Sequence, residues 1–278
     1  MKAMRLMAPG APLALTEVTP RTTTPGSVPV LLAMDGSGGF LCVAESGSND
    51  VAVFSINSSS GALTLVAQQF GPTAPIGTTP ISMKLSPSGN VLYVGGGAGA
   101  QGLVLFFGLS SGMLTAIGSS STDGASPYGL AIDPSGSFLY AANAGSNSIA
   151  EFTIDSSTGS LTPVLGSPLG GALTDPTTLL IDPSGKYLYV ANNTSSGTLA
   201  AYTIGTGGAL TVLSGSPFSV GANPNAMIAD PNGKYLLVGT QGGSAQIHVF
   251  GLVESSGTLS SLSSYSTSNT PTSIVIMP

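Results

Sequence analysis

Asp182-Pro183-Ser184-Gly185-Lys186-Tyr187-Leu188-Tyr189-Val190-Ala191-Asn192 is the stretch that decides the fold. Asp-Pro-Ser-Gly suits a tight turn, in which Pro presets φ and Gly relieves the far corner. The aromatic and β-branched residues after it read as a strand. The stretch recurs along the chain. Asp133-Pro134-Ser135-Gly136 precedes Phe138-Leu139-Tyr140-Ala141-Ala142-Asn143, and Asp230-Pro231-Asn232-Gly233 precedes Tyr235-Leu236-Leu237-Val238-Gly239. Ser86-Pro87-Ser88-Gly89 and Asp35-Gly36-Ser37-Gly38 lead into Val91-Leu92-Tyr93-Val94-Gly95 and Phe40-Leu41-Cys42-Val43-Ala44. The turns begin at 35, 86, 133, 182 and 230, so they are spaced by 51, 47, 49 and 48 residues.

Outward from the turn, every unit has the same grammar. A Pro opens it (Pro29, Pro80, Pro127, Pro176, Pro224), and a short apolar run such as Leu179-Leu180-Ile181 follows. After the turn and second strand comes an alternating third strand, for example Ile149 to Ile154. A second Gly-containing turn then leads to a short fourth strand at Leu161-Thr162-Pro163-Val164. Four antiparallel strands in about 48 residues, repeated, are the signature of a β-propeller blade. The expected fold is therefore all-β: one β-propeller domain over 1–278, with complete blades at 29–79, 80–126, 127–175, 176–223 and 224–270. Residues 271–278 repeat an opening strand, Leu13 to Val18 resembles a fourth strand, and Met1 to Met7 fits a third. These ends predict a split closing blade made from 271–278 and 1–28, which gives six blades. The alternative is a truncated seven-bladed propeller.

The 182–192 stretch resembles the hallmark of the YVTN-repeat and lactonase-like propellers, a family that includes bacterial 6-phosphogluconolactonases. The resemblance covers 29–278. It implies a seven-bladed relative and a sugar-lactone hydrolase as one functional reading. It also implies acid/base and arginine positions for which this chain offers no matching residues.

Composition narrows the function. Only 6 % of residues are charged, so Ser, Thr, Asn, Gly and backbone must make the surface. With six Lys and Arg against twelve Asp and Glu, no phosphate-binding stripe forms, and nucleic acid is not an expected partner. Cys42 and His248 are the single cysteine and histidine, so no disulfide, CxxC metal site or His-rich centre is expected. No apolar run is long enough for a membrane span, and residues 1–10 lack the apolar stretch of a signal peptide. Charge-poor, Cys-poor β proteins of this kind point instead to a periplasmic or extracellular bacterial protein. The chain is expected to be a monomer with no cofactor.

Candidate site residues follow from propeller geometry. Side chains alternate along each opening strand. Residues two and four after each Pro are expected to line the central channel, and Lys84 is their one ionisable member. The residues directly after Pro (Val30, Ile81, Tyr128, Thr177, Asn225, Thr272) are expected at a rim. Lys84, Tyr128, Thr177 and Asn225, with Glu45 and Asp50 from a neighbouring turn, are the expected ligand-binding residues. His248 is expected to be structural. The turn residues Asp35, Asp133, Asp182 and Asp230 are expected to cap nearby N–H groups, not to bind metal. With no evident base paired to a cation, the leading expectation is a non-catalytic binding or scaffold module for a protein or carbohydrate-like partner. Sugar-lactone hydrolysis is the alternative.

Overall fold

The computed structural model describes residues 2–5, 14–17, 28–46, 48–69, 79–97, 101–171, 173–242, 246–267 and 271–276. Among them are five antiparallel sheets whose four main strands run in sequence order, and no α-helix. Blade 1 comprises Val28–Met34, Phe40–Ser46, Asp50–Ile56 and Leu63–Gln69. Blade 2 comprises Pro80–Leu85, Val91–Gly96, Leu103–Ser110 and Met113–Ser121. Blade 3 comprises Pro127–Ile132, Phe138–Asn143, Ser148–Ile154 and Leu161–Pro163. Blade 4 comprises Pro176–Ile181, Tyr187–Asn192, Thr198–Ile204 and Leu210–Val212, and a short strand, Phe218–Ser219, also joins its third strand. Blade 5 comprises Pro224–Ala229, Tyr235–Thr240, Gln246–Leu252 and Leu259–Ser266. First strands of successive blades lie against one another, which makes them the innermost strands of a propeller.

The turns behave as their sequence dictates. Asp182 accepts hydrogen bonds from the backbone N–H groups of Ser184, Lys186 and Tyr187 and from the Ser184 hydroxyl. Asp133 and Asp230 bind their turns in the same way, and Ser86 substitutes a hydroxyl that accepts from the Val91 N–H. Gly185, the last residue of its turn, has φ +73°, a left-handed conformation that costs glycine little. Burial tends to raise the Asp35 pKa, but hydrogen bonds from Ser37 and neighbouring backbone outweigh it and hold the carboxyl below its ordinary value.

A single blade cannot bury both of its faces, so the core lies in the seams between blades. Cys42, Val53, Met83, Leu92 and Phe107 fill the first seam; Tyr93, Phe106, Leu130, Leu139 and Phe152 fill the second. Tyr140, Ile149, Leu179, Leu188 and Tyr202 fill the third, and Tyr189, Leu199, Leu236, Val238 and Phe250 the fourth. Three seams are also tied by one recurring bond. The hydroxyls of Tyr93, Tyr140 and Tyr189 donate to the carbonyls of Gly159, Gly208 and Gly257 in the next blade, at 2.9, 2.8 and 2.7 Å. Cys42 holds the equivalent strand position in blade 1. It is fully buried, and burial, with a smaller contribution from the Asp35 charge, pushes its thiol up to about 12.

These seams divide one expectation. Position two after the opening Pro turns into a seam, whereas position four also lines the channel: Lys84, Ala131, Leu180 and Ile228, from four successive blades, share one cavity. Ser82 donates its hydroxyl to the Pro127 carbonyl, and Thr178 donates to that of Asn225, so position two faces the following blade. At position four, Ala131 belongs to the third seam and Leu180 packs on the fourth. At position three, Met83, Leu130 and Leu179 face the preceding blade. Both faces of a first strand therefore meet neighbouring blades, and its position-four side chain also borders the channel.

The two end blades are covered differently. Leu32 is 67 % exposed, whereas its counterparts Met83, Leu130 and Leu179 are buried. Tyr235 is 45 % exposed, against 6 % for Tyr187. Residues 271–276 form no strand, and Val275 is exposed. They lie along blade 5, with Pro271 and Ile274 against Gly239, the place that Pro127 takes beside Gly95. Lys2–Arg5 pairs with Ala14–Glu17. The rest of the expected closing blade, including Met277, Pro278 and Arg21, lies outside the described residues.

Candidate functional site

The two ends of the channel differ in chemistry. At one end, each first strand begins beside the end of its second strand, and a β-bulge falls directly after the opening Pro. A bulge leaves its extra residue out of the ladder and re-aims its side chain. The bulge residues are Val30, Ile81, Tyr128, Thr177 and Asn225. Tyr128 is half exposed. Thr177 Oγ1 and Asn225 Oδ1 are buried atoms with no hydrogen-bond partner among the described residues. Two more such oxygens, Asn49 Oδ1 and Asn143 Oδ1, lie in or beside the turns at this same end. Buried polar atoms are seldom left without partners in native structures, so this concentration marks the end as polar and ready to bind.

Glu45 and Asp50 also lie at this end, opposite each other where the second strand of blade 1 passes into the third. Both are buried, and Ser48 donates to Asp50 at 2.6 Å. Asn143 in blade 3 and Asn192 in blade 4 hold the strand position of Glu45. Their side chains fasten local structure: Asn143 donates to the Thr122 carbonyl and the Ser148 hydroxyl, and Asn192 accepts from the Thr174 N–H and donates to Thr198.

Lys84 lies apart from this group. It is three residues beyond the bulge, about 10 Å along the strand. There, at the end bearing the Asp-Pro turns, it lines a cavity of about 330 Å³ with Leu85, Ala131, Leu180 and Ile228. Its side chain is exposed to that cavity, yet the surrounding walls desolvate the ammonium enough to lower its pKa. The six expected site residues thus divide into five at the strand-crossing end and Lys84 at the other. His248 is on the third strand of blade 5, with Nε2 3.5 Å from Thr240 Oγ1, and burial lowers its pKa. Among the described residues, no three of His, Cys, Asp and Glu converge on a metal-sized site. Among the described residues no helix is long and apolar enough to cross a membrane.

One ionisable group escapes a motif-based reading. Glu151 is 3 % exposed in the third seam, and its Oε1 accepts the Leu210 N–H at 2.9 Å. Burial raises its pKa, and that hydrogen bond only partly opposes the shift. Equivalent third-strand positions carry Val53, Phe106, Ala201 and Val249, so the signal is a carboxylate at an otherwise apolar repeat position. A raised carboxyl pKa means that the fold binds this proton more tightly than the unfolded chain does. Glu151 therefore costs stability increasingly as pH rises from near 4.5 through its folded-state value. Glu151→Gln is expected to stabilise the protein above that window and to make little difference below it. Denaturant titrations on either side of the window check this; an equal effect on both sides contradicts it.

The comparisons with known proteins agree with this architecture. The family model described as "Lactonase, 7-bladed beta-propeller" matches residues 78–174 and 171–276. A solved structure of a candidate 6-phosphogluconolactonase from Bacteroides uniformis superposes with a TM-score of 0.74 at 18 % identity, covering 89 % of this chain and 74 % of that one. A Lactobacillus plantarum protein gives 0.72 at 22 %, covering 94 % and 75 %. The periplasmic gluconolactonase of Pseudomonas aeruginosa gives 0.70 at 21 %, covering 86 % and 70 %. No curated protein matches the chain. At these identities the structural likeness speaks for the fold alone. The family match runs from 78 to 276 and, with the five repeated blades, places the chain in the lactonase family of seven-bladed β-propellers.

Proposed function

We propose that this chain hydrolyses a neutral sugar lactone at the strand-crossing end of its channel. The observation that carries the reading is the cluster of hydroxyl and amide oxygens there, Thr177 Oγ1 and Asn225 Oδ1 foremost, in a chain of lactonase family. A sugar lactone offers hydroxyl donors to such acceptors. Among the described rim positions none carries Lys or Arg, so a phosphorylated sugar gains no charged partner. Glu45 and Asp50, with the exposed Asp175 directly before Pro176, are carboxylates at this end that could activate water. The periplasmic gluconolactonase among the structural neighbours favours an exported protein.

A second reading is sugar binding without turnover. The burial of both Glu45 and Asp50 favours it, together with the fastening role of Asn143 and Asn192 at the position of Glu45. Hydrolysis of glucono-δ-lactone and of 6-phosphogluconolactone, measured above the spontaneous rate, separates the two. Turnover is expected with the unphosphorylated lactone. Glu45→Gln is expected to lower it by roughly 10²–10⁴-fold, the usual worth of a general base, without loss of lactone binding. Thr177→Val or Asn225→Leu is expected to weaken binding by about tenfold, one hydrogen bond's worth. Saturable lactone binding with no turnover establishes the second reading. Neither binding nor turnover removes both.

A further inference from the structure

We propose that the cavity at the turn-bearing end of the channel binds a small aliphatic monocarboxylate through Lys84. This site is distinct from the strand-crossing end and independent of the lactonase reading.

The repeat sets Lys84 apart. The fourth residue after the opening Pro is Ala33, Lys84, Ala131, Leu180, Ile228 and Val275 in successive copies. Five of the six are aliphatic, so the scaffold does not need a cation there. A charged residue that breaks a local rule without a structural gain marks a functional position. Lys84 lines the cavity of about 330 Å³, within the range of roughly 300–1,000 Å³ typical of small-molecule sites. Lys84 is exposed to the open cavity, and desolvation by the surrounding walls lowers its pKa. Asp182 also lines the cavity, but its oxygens accept three backbone N–H groups and the Ser184 hydroxyl, which commits it to the turn.

These features select the ligand. One ammonium in an aliphatic pocket complements one negative charge on an apolar body. A phosphate or dicarboxylate would need further donors, which the walls (Leu85, Ala131, Leu180, Ile228) do not supply, and Asp182 disfavours every negative charge beyond the one that Lys84 neutralises. A neutral apolar ligand would leave the ammonium uncompensated.

The test uses octanoate and octanol as matched probes, with binding to the full chain followed by calorimetry or ligand-observed NMR. Octanoate is expected to bind about tenfold more tightly than octanol, as a charge-assisted contact allows. Lys84→Met is expected to abolish that preference and Lys84→Arg to retain it. Ile228→Phe, which fills the cavity without altering its charge, is expected to lose binding of both probes. Equal binding of the two probes overturns the proposal, as does absence of octanoate binding. So does a preference that survives Lys84→Met, or octanoate binding unaffected by Ile228→Phe. Should Lys84→Met fail to fold, the probe pair on the wild type and Ile228→Phe decide the matter.

Discussion

Tyr189→Ala is expected to lower the free energy of unfolding by roughly 3–5 kcal/mol, the range for deleting a large buried aromatic side chain. Tyr189 is fully buried in the fourth seam. Its ring fills space between blades 4 and 5, and its hydroxyl reaches the Gly257 carbonyl at 2.7 Å. Tyr189→Phe separates the two contributions, because it keeps the ring and removes only the hydrogen bond, at a cost of about 1 kcal/mol. Gly257 has φ +68°, and an added Cβ would run into the ring of Tyr187. The turn that receives the hydroxyl is thus shaped by the same neighbouring blade. Denaturant titration of the two variants checks the ordering. A loss for Tyr189→Ala no greater than that for Tyr189→Phe would show that the seam does not depend on the ring.

Asp182→Ala is expected to cost roughly 3 kcal/mol or more. The carboxylate is buried, and its removal strands the buried N–H of Tyr187 and the part-buried N–H groups of Ser184 and Lys186, a fully buried unsatisfied donor costing on the order of 1–3 kcal/mol. Asp182→Asn keeps an acceptor oxygen and is expected to cost less than half as much. The measurement is again the unfolding midpoint at constant denaturant slope. Equal losses for Ala and Asn would mean that the charge, not the acceptor geometry, holds the turn. These losses compare with total stabilities of about 5–15 kcal/mol for ordinary domains.

Much of this fold is legible in the sequence because the turn carries its own chemistry. Asp, Pro and Gly at fixed offsets specify the turn from Asp182 to Gly185 with no help from distant residues, and the aromatic run after it specifies the strand. The orientation of the first strand is not legible in this way. Alternation says that Lys84 and Met83 point to opposite sides, but not that each side meets a neighbouring blade. That depends on how the blades stand in the ring. The inter-blade bonds are hidden for a related reason. Tyr140 and Gly208 are 68 residues apart, and each already has a local explanation as strand former or turn former. The candidate site is only partly legible. Tyr128, Thr177 and Asn225 are found by counting from the opening Pro. Lys84 is found by the same count, as the one ionisable residue at its positions, whereas Glu151 emerges only when the third strands are laid over one another, which makes a charge at an apolar position visible. Lys84 is assigned to the correct strand but separated from its expected companions by the length of that strand.

The tyrosine that clasps each following blade gives the protein the character of a chain of links joined end to end. In such an array stability is close to a sum of nearest-neighbour couplings, and opening begins at the weakest join. Cys42 marks the one of the four described seams that lacks the clasp. With no hydroxyl, it cannot make the hydrogen bond that Tyr93, Tyr140 and Tyr189 supply to the blades beyond them. The first blade is therefore positioned to part from the second while the other three clasps stay shut, a partial opening that would bring the chain's only thiol into contact with water.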